Sequence, residues 1–269
     1  ARDEVREGGG SGLAPTRPNL LHPRHRERIK TGRTHAAAGK AALVQDLTPP
    51  MTMMNLLRSL ARARHSRVQN LLHIGCGPST KAQTTRGFNT GDWTEIRLDI
   101  DPSVSPDVIG TMTDMAAVAS GSVDAIFSSH NIEHLYPHEV PVALEEFLRV
   151  LSDDGFAVIT CPDLQSVCAL VAQDQLTESA YVSPAGPISP LDILYGHRPS
   201  MAQGNLYMAH RCGFTRKVLD STLRAAGFKS VISMARGYAP CLDLWALASK
   251  RELSEAQIRE MAMQHFPLL

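Results

Sequence analysis

Apolar and polar positions fall into short blocks along the chain, and the blocks have two periods. Asn70 to Ile74 is an apolar run around Leu71 and Leu72 that breaks at Gly75-Cys76-Gly77-Pro78. An apolar run bounded by turn residues predicts a strand. Glu95 to Ile100, Asp107 to Ile109, Ser122 to Phe127 and Phe156 to Thr160 repeat the pattern and predict four more strands. Val140, Leu144, Phe147, Leu148 and Leu151 mark one face of a helix that opens at Pro137 and closes at Asp153-Asp154-Gly155. Thr215 caps a second helix with Val218, Leu219, Leu223 and Ala226 on its buried face, and Gly227 ends it. Val231 to Met234 and Leu242 to Ala248 predict closing hairpin strands. Ser254 with Gln257 forms a capping box for a last helix, whose Ile258, Met261 and His265 stripe serves packing or a dimer contact. Strands separated by crossovers predict an α/β fold with a doubly wound, mostly parallel sheet that binds ligands at the carboxyl ends of its strands.

The glycine pair supplies the first candidate chemistry. Two glycines one residue apart at a strand end permit positive φ and let a small molecule approach bare backbone. Asp99 lies 22 residues beyond Gly77, at the tip of the second strand. A carboxylate there can accept hydrogen bonds from both hydroxyls of a ribose.

These residues resemble the class I S-adenosylmethionine-dependent methyltransferases, in the branch that reads Gly-Cys-Gly, Gly-x-Trp and Asp-x-Asp. Here those motifs are Gly75-Cys76-Gly77, Gly91-Asp92-Trp93 and Asp99-Ile100-Asp101. The likeness continues through Gly121 to Asp124, Ser128 to Leu135 and Leu148 to Phe156, and runs more loosely through His210 to Thr215 and Ala225 to Phe228. The resemblance implies a seven-stranded Rossmann-like sheet and S-adenosyl-L-methionine as cofactor. It places Gly75, Cys76 and Gly77 under the methionine and ribose, with Asp99 and Ile100 at the sugar. Asp114 and Met115 then meet the adenine, and Ser128 and Ser129 line the methyl-transfer end. His130, whose imidazole titrates near neutral pH, is the candidate general base. His73 stands where many relatives carry an acid near the cofactor's amino group, and Thr80 to Asp92 lacks the apolar spacing of the usual first helix.

His130-Asn131-Ile132-Glu133-His134 also spells H-x-x-E-H, an inverted zinc-protease spacing. It sits at a strand end with no evident third ligand downstream, so the sequence reading assigns no metal and gives Glu133 to the acceptor site.

Gln173 to Gly213 is a long proline-bearing stretch of the kind that forms lids. By position Tyr195, His197, Arg198, Tyr207, His210 and Arg211 are substrate candidates, and the arginines suit a carboxylate or phosphate.

Composition narrows the class further. At 269 residues and 43% hydrophobic content the chain can bury one sizeable α/β core, and it has no apolar run of membrane-spanning length. Five scattered cysteines without a C-x-x-C pair fit reduced thiols and a cytoplasmic setting. Net charge is zero, yet residues 1–68 hold 13 Lys and Arg against 5 Asp and Glu, leaving +8 there and −8 beyond. Residues 1–50 read as a disordered basic leader or an added extension. Met53 to Arg67 reads as a helix on the domain edge, 51–250 as the methyltransferase domain with its 173–213 insert, and 251–269 as the terminal helix. The expected partner is a small-molecule acceptor, sugar-linked or acidic, with no membrane or nucleic acid; a homodimer is the candidate assembly. The competing functions are a catalytically silent binding or scaffold protein of the same fold and, third, an NAD-linked oxidoreductase.

Overall fold

The computed structural model describes residues 67–267. The basic leader and most of the Met53 to Arg67 helix lie outside the described residues.

A seven-stranded sheet organises the domain in the order β3-β2-β1-β4-β5-β9-β8. Its strands are β1 (Gln69–Ile74), β2 (Trp93–Asp99), β3 (Val108–Ile109), β4 (Val123–Ser129), β5 (Leu151–Pro162), β8 (Ser230–Tyr238) and β9 (Cys241–Ser249). The first five pair in parallel, while β9 is antiparallel to β5 and to β8. This is the doubly wound sheet with an antiparallel carboxyl-terminal hairpin that the strand pattern predicts. The strand order reverses between β1 and β4, so the carboxyl ends of β1, β2 and β4 open on one crevice.

Successive β1 side chains go to opposite faces, as the pleat requires. Leu72 and Ile74 join Leu98, Ile126, Ile159 and Leu244 in the larger core, under α1 (Val140–Val150) and α5 (Arg216–Ala226). Leu71 joins Phe88, Trp93, Phe127, Phe156 and Ile258 in the second, under α6 (Glu255–His265). Both faces of the parallel strands are therefore covered, as buried parallel sheets demand.

Three local expectations shift. The helix predicted from Pro137 to Gly155 forms only over Val140–Val150, because Leu151 is already extended and pairs with Val123 as the first residue of β5. Val218 is 47% exposed rather than buried; it lies a helical step behind Leu219 and Leu223, which carry the packing of α5. The 173–213 stretch is not irregular. It follows α2 (Leu164–Val171) and folds into a hairpin of β6 (Tyr181–Ser183) and β7 (Gly186–Ile188), then α3 (Pro190–Tyr195) and α4 (Arg198–Ala202), around Val167, Ile193 and Leu242.

Between β1 and β2 only a three-residue 3-10 turn, Lys81–Gln83, forms. The polar composition of this segment predicts as much, and α6 packs where an amphipathic helix would have supplied apolar cover. Thr85 Oγ1 lies 2.8 Å from His265 Nδ1, the Arg86 guanidinium donates to the Met263 carbonyl, and Phe88 sits against the His265 ring. The Ile258, Met261 and His265 stripe thus packs within the domain. No helix among the described residues is long and apolar enough to cross a membrane.

Candidate active site

Gly75 and Gly77 both take left-handed backbone, with φ of +61° and +51°. At Gly75 the requirement is doubled, because a Cβ would fall 2.0 Å from Asn131 Oδ1. Asn131 is fixed there by donating from Nδ2 to the carbonyls of Ile74 (2.9 Å) and Ser129 (3.0 Å), which joins the ends of β1 and β4. At Gly77 the reverse holds: a Cβ would meet no atom of the described residues within 4 Å, so bare backbone faces open space among them.

Asp99 stands beside that opening. Its Oδ2 accepts from the Gly77 N–H at 2.7 Å and its Oδ1 from the Asp101 N–H at 2.9 Å. A carboxylate oxygen has two lone-pair sites, so each retains one for a further donor. The residue is 8% exposed, and its aim is set by backbone rather than by a mobile partner. Ile100, next along, is exposed, and Cys76 is buried.

His73 faces the second core, with its ring against Phe127 and Nδ1 2.8 Å from Glu95 Oε1. Burial lowers its pKa and outweighs the raising effect of Glu95, so the ring is neutral near pH 7. One ring nitrogen is therefore already engaged within the sheet. Asp114 is exposed and closes a turn with Ala116, beside a hollow of about 440 Å³ shared with Glu145 and Arg149. Met115 lies fully inside the larger core. Its N–H donates to Glu146 and its carbonyl accepts from Arg149.

At the end of β4, Ser128 is buried, its hydroxyl has no hydrogen bond among the described residues, and Ser129 Oγ lies 2.7 Å from Thr160 Oγ1. His130 then adopts φ +54°, a left-handed conformation costly for a residue with a Cβ. Its backbone N–H donates to the Thr160 carbonyl at 2.9 Å, and its side chain is 48% exposed. Desolvation opposes its charge, but Glu133, with Oε1 3.4 Å from Nδ1, outweighs that and raises the His130 pKa. Glu133 itself is 1% exposed. Burial would raise its pKa, yet His130 first, then His134 and His210, hold it below the ordinary value.

The insert reaches this loop through one segment. The N–H groups of Arg211 (2.8 Å) and Cys212 (3.2 Å) donate to the Glu133 carbonyl. The His210 and His134 rings pack edge to face at 4.8 Å, and the Arg211 guanidinium covers Tyr136 and donates to the His134 carbonyl. Glu133, His210 and Arg211 are thus brought together with His130. The other insert candidates make their contacts elsewhere: Arg198 binds Asp192 at 2.7 Å, His197 binds Ser200, and Tyr195 and Tyr207 are more than half exposed. Sequence reasoning passed over His134 as a partner of His210. The H-x-x-E-H spelling and the His210-Arg211 pair were the signals available, but only the fold joins them.

A cavity of about 720 Å³ opens past the end of β5, lined by Asp163, Gln165, Gln173, Glu178, Tyr238 and Leu242 among others. It lies between the insert and the β8–β9 hairpin. Its lining is rich in amides and carboxylates and holds no arginine or lysine.

No curated protein matches the chain in sequence. Among solved structures it is similar to an S-adenosylmethionine-dependent methyltransferase from Archaeoglobus fulgidus, at 15% identity over 74% of this chain and 93% of that one, with a TM-score of 0.45. It is similar also to the 1,6-didemethyltoxoflavin N1-methyltransferase of Burkholderia thailandensis, at 14% identity over 79% and 95%, with a TM-score of 0.44. A third is an S-adenosylmethionine-dependent methyltransferase from Methanosarcina mazei, at 14% identity over 71% and 96%, with a TM-score of 0.43. The family model of the methyltransferase domain matches residues 72–159, the segment from β1 to β5 that carries the glycine turn, Asp99 and the His130 loop. On that match residues 72–159 are similar to a methyltransferase domain.

Proposed function

We propose that the protein transfers a methyl group to a small molecule bearing hydroxyl or amide groups, a sugar-linked acceptor rather than an acidic one. S-adenosylmethionine, when bound, supplies a methyl carbon activated by positive sulfur. The residues present fit that cofactor: open space over Gly77 leaves room for it, and Asp99 keeps acceptor capacity for the ribose hydroxyls. Asp99 against Gly77 is the observation that carries the reading. Gly75, Cys76 and Ile100 shape the same crevice, and the Ser128 hydroxyl, without a partner among the described residues, stands at its methyl-transfer end.

Positioning of the acceptor and exclusion of water then account for most of the catalysis asked of the chain. His130 is the general base for an acceptor that arrives protonated. It sits at the end of β4 with its backbone held by Thr160 and its ring half in solvent, free to reach a bound molecule. The cavity past β5 suits the acceptor. Its glutamines, Asp163 and Glu178 pair with hydroxyl and amide groups and repel an anion. Arg198, the sequence candidate for gripping an acid, is instead spent on Asp192.

Calorimetric titration with S-adenosylhomocysteine tests the cofactor half. The expected result is saturable binding to the parent protein that Asp99→Ala abolishes; equal heats in both would overturn the site. Incubation with labelled S-adenosylmethionine and a panel of glycosides and carboxylic acids tests the acceptor half. Transfer to acids alone would overturn the preference for hydroxyl-rich molecules.

A further inference from the structure

Glu133 holds the most unusual position of any charged residue described. Its side chain is buried, and among the described residues neither carboxylate oxygen has a hydrogen-bond partner. The His130 Nδ1 at 3.4 Å is near in charge but outside hydrogen-bond geometry. Chains seldom keep an unsatisfied buried carboxylate unless something of opposite charge completes it.

Two histidines face the same spot, and both are set up as ligands. His134 has Nδ1 3.1 Å from the Ala209 carbonyl, and His210 has Nδ1 2.7 Å from the Ile193 carbonyl. A carbonyl can only accept, so each Nδ1 carries the proton and each Nε2 keeps a lone pair. That arrangement, one ring nitrogen donating to a backbone carbonyl and the other left free, is how proteins orient metal-ligating histidines. One ligand atom from each of Glu133, His134 and His210 lies within 4.8 Å of the others. Two donors about 2.1 Å from one tetrahedral ion are about 3.4 Å apart, so modest side-chain rotation closes the set.

We propose that Glu133, His134 and His210 bind one divalent transition-metal ion, which ties the insert to the loop after β4. Two imidazoles and one carboxylate suit Zn²⁺, Fe²⁺ or Co²⁺ and do not suit Mg²⁺ or Ca²⁺, which take oxygen ligands. Three protein ligands leave a coordination position for water or an acceptor oxygen beside His130. The backbone bonds from Arg211 and Cys212 to the Glu133 carbonyl hold His210 in register before any metal arrives. The H-x-x-E-H segment holds no third ligand of its own; the insert supplies one from 76 residues further along the chain than His134.

The test needs no cofactor and so stands apart from the methyl-transfer reading. Full-length protein, stripped with a chelator, is titrated with Co²⁺ alone and followed by visible absorption and elemental analysis. One equivalent with the intense bands of a nitrogen-ligated four- or five-coordinate ion is expected. His210→Ala and the isosteric Glu133→Gln should each weaken that site at least about 100-fold, no less than loss of an outer partner brings. The surface variant His138→Ala should leave it unchanged. Zn²⁺ should raise the melting temperature of the parent and of His138→Ala but not of the other two. No bound cobalt in the parent, weak bands of an all-oxygen shell, or equal binding in all four proteins would overturn the site. Should His210→Ala fail to fold, Glu133→Gln and the parent spectrum decide the question.

Discussion

The Asp99 carboxylate accepts the Gly77 N–H at 2.7 Å across 22 residues of sequence. This one bond couples the tip of β2 to the glycine turn after β1, so the group proposed to hold the ribose and the backbone proposed to lie beneath it move as a unit. Asp99→Asn keeps the shape but loses the charge. Charge-assisted hydrogen bonds contribute about 1.5–3 kcal/mol each, so S-adenosylhomocysteine affinity should fall roughly 10- to 100-fold by calorimetry; the melting temperature should fall as well, because the new amide nitrogen faces one of the two backbone N–H donors that Asp99 accepts.

The two glycines should separate stability from binding. Gly75→Ala meets both a left-handed φ and the Asn131 side chain, and should cost about 2–3 kcal/mol in urea unfolding. Gly77→Ala meets only the φ penalty, about 1 kcal/mol, because no described residue stands near its Cβ. Its methyl group points into the space proposed for the ligand, so its affinity for S-adenosylhomocysteine should drop more than tenfold. A Gly77→Ala protein that binds normally would move the cofactor elsewhere.

His130→Gln removes the proposed base while keeping a polar side chain of similar reach. General bases contribute about 10²- to 10⁴-fold, and that loss should fall on kcat while S-adenosylhomocysteine affinity is unchanged. A normal kcat would reassign His130 to holding the loop.

His265 predicts an acid-sensitive fold. Burial first, and then the Arg86 charge, pushes its pKa down to about 4 from an ordinary 6.5. The unfolded chain therefore takes up this proton before the native one does. Stability unaffected by this group above about pH 6.5 is lost progressively as pH falls toward 4, by about 3 kcal/mol at most. Below that both states are protonated and the loss stops growing. Urea midpoints measured across this range should decline less steeply in His265→Asn than in the parent.

Arg198 tests the division between structure and acceptor binding. Asp192 is buried, which would raise its pKa, but the Arg198 guanidinium and the Ser189 hydroxyl hold it far below the ordinary carboxylate range. Arg198→Ala leaves that buried carboxylate without its cation at the start of α3. It should cost about 1–3 kcal/mol in unfolding free energy while the acceptor KM stays within about twofold. A large KM change at unaltered stability would return Arg198 to the acceptor site.

The legible part of this protein is its chain-local part. The strand run ending at Ile74, the cap at Thr215, the Ser254–Gln257 box and the missing apolar spacing after Gly77 are each written within a short stretch of chain and appear in the fold where that pattern puts them, while the second strand, read from Glu95 to Ile100, runs from Trp93 to Asp99. The 22-residue step from Gly77 to Asp99 was readable because parallel strands set side by side bring successive strand tips together.

What the sequence alone determined, then, is the run of sheet strands from β1 to β5 with the closing hairpin, the helices over 140–150, 216–226 and 255–265, and the parallel sheet, because periodicity and turn chemistry act between near neighbours. Tertiary structure alone decided that His265 closes the gap beside Thr85, that Arg198 answers Asp192, and that His210 meets Glu133 and His134. Those pairings depend on which faces of distant segments are buried together, and burial is a property of the packed whole that no single stretch of residues carries.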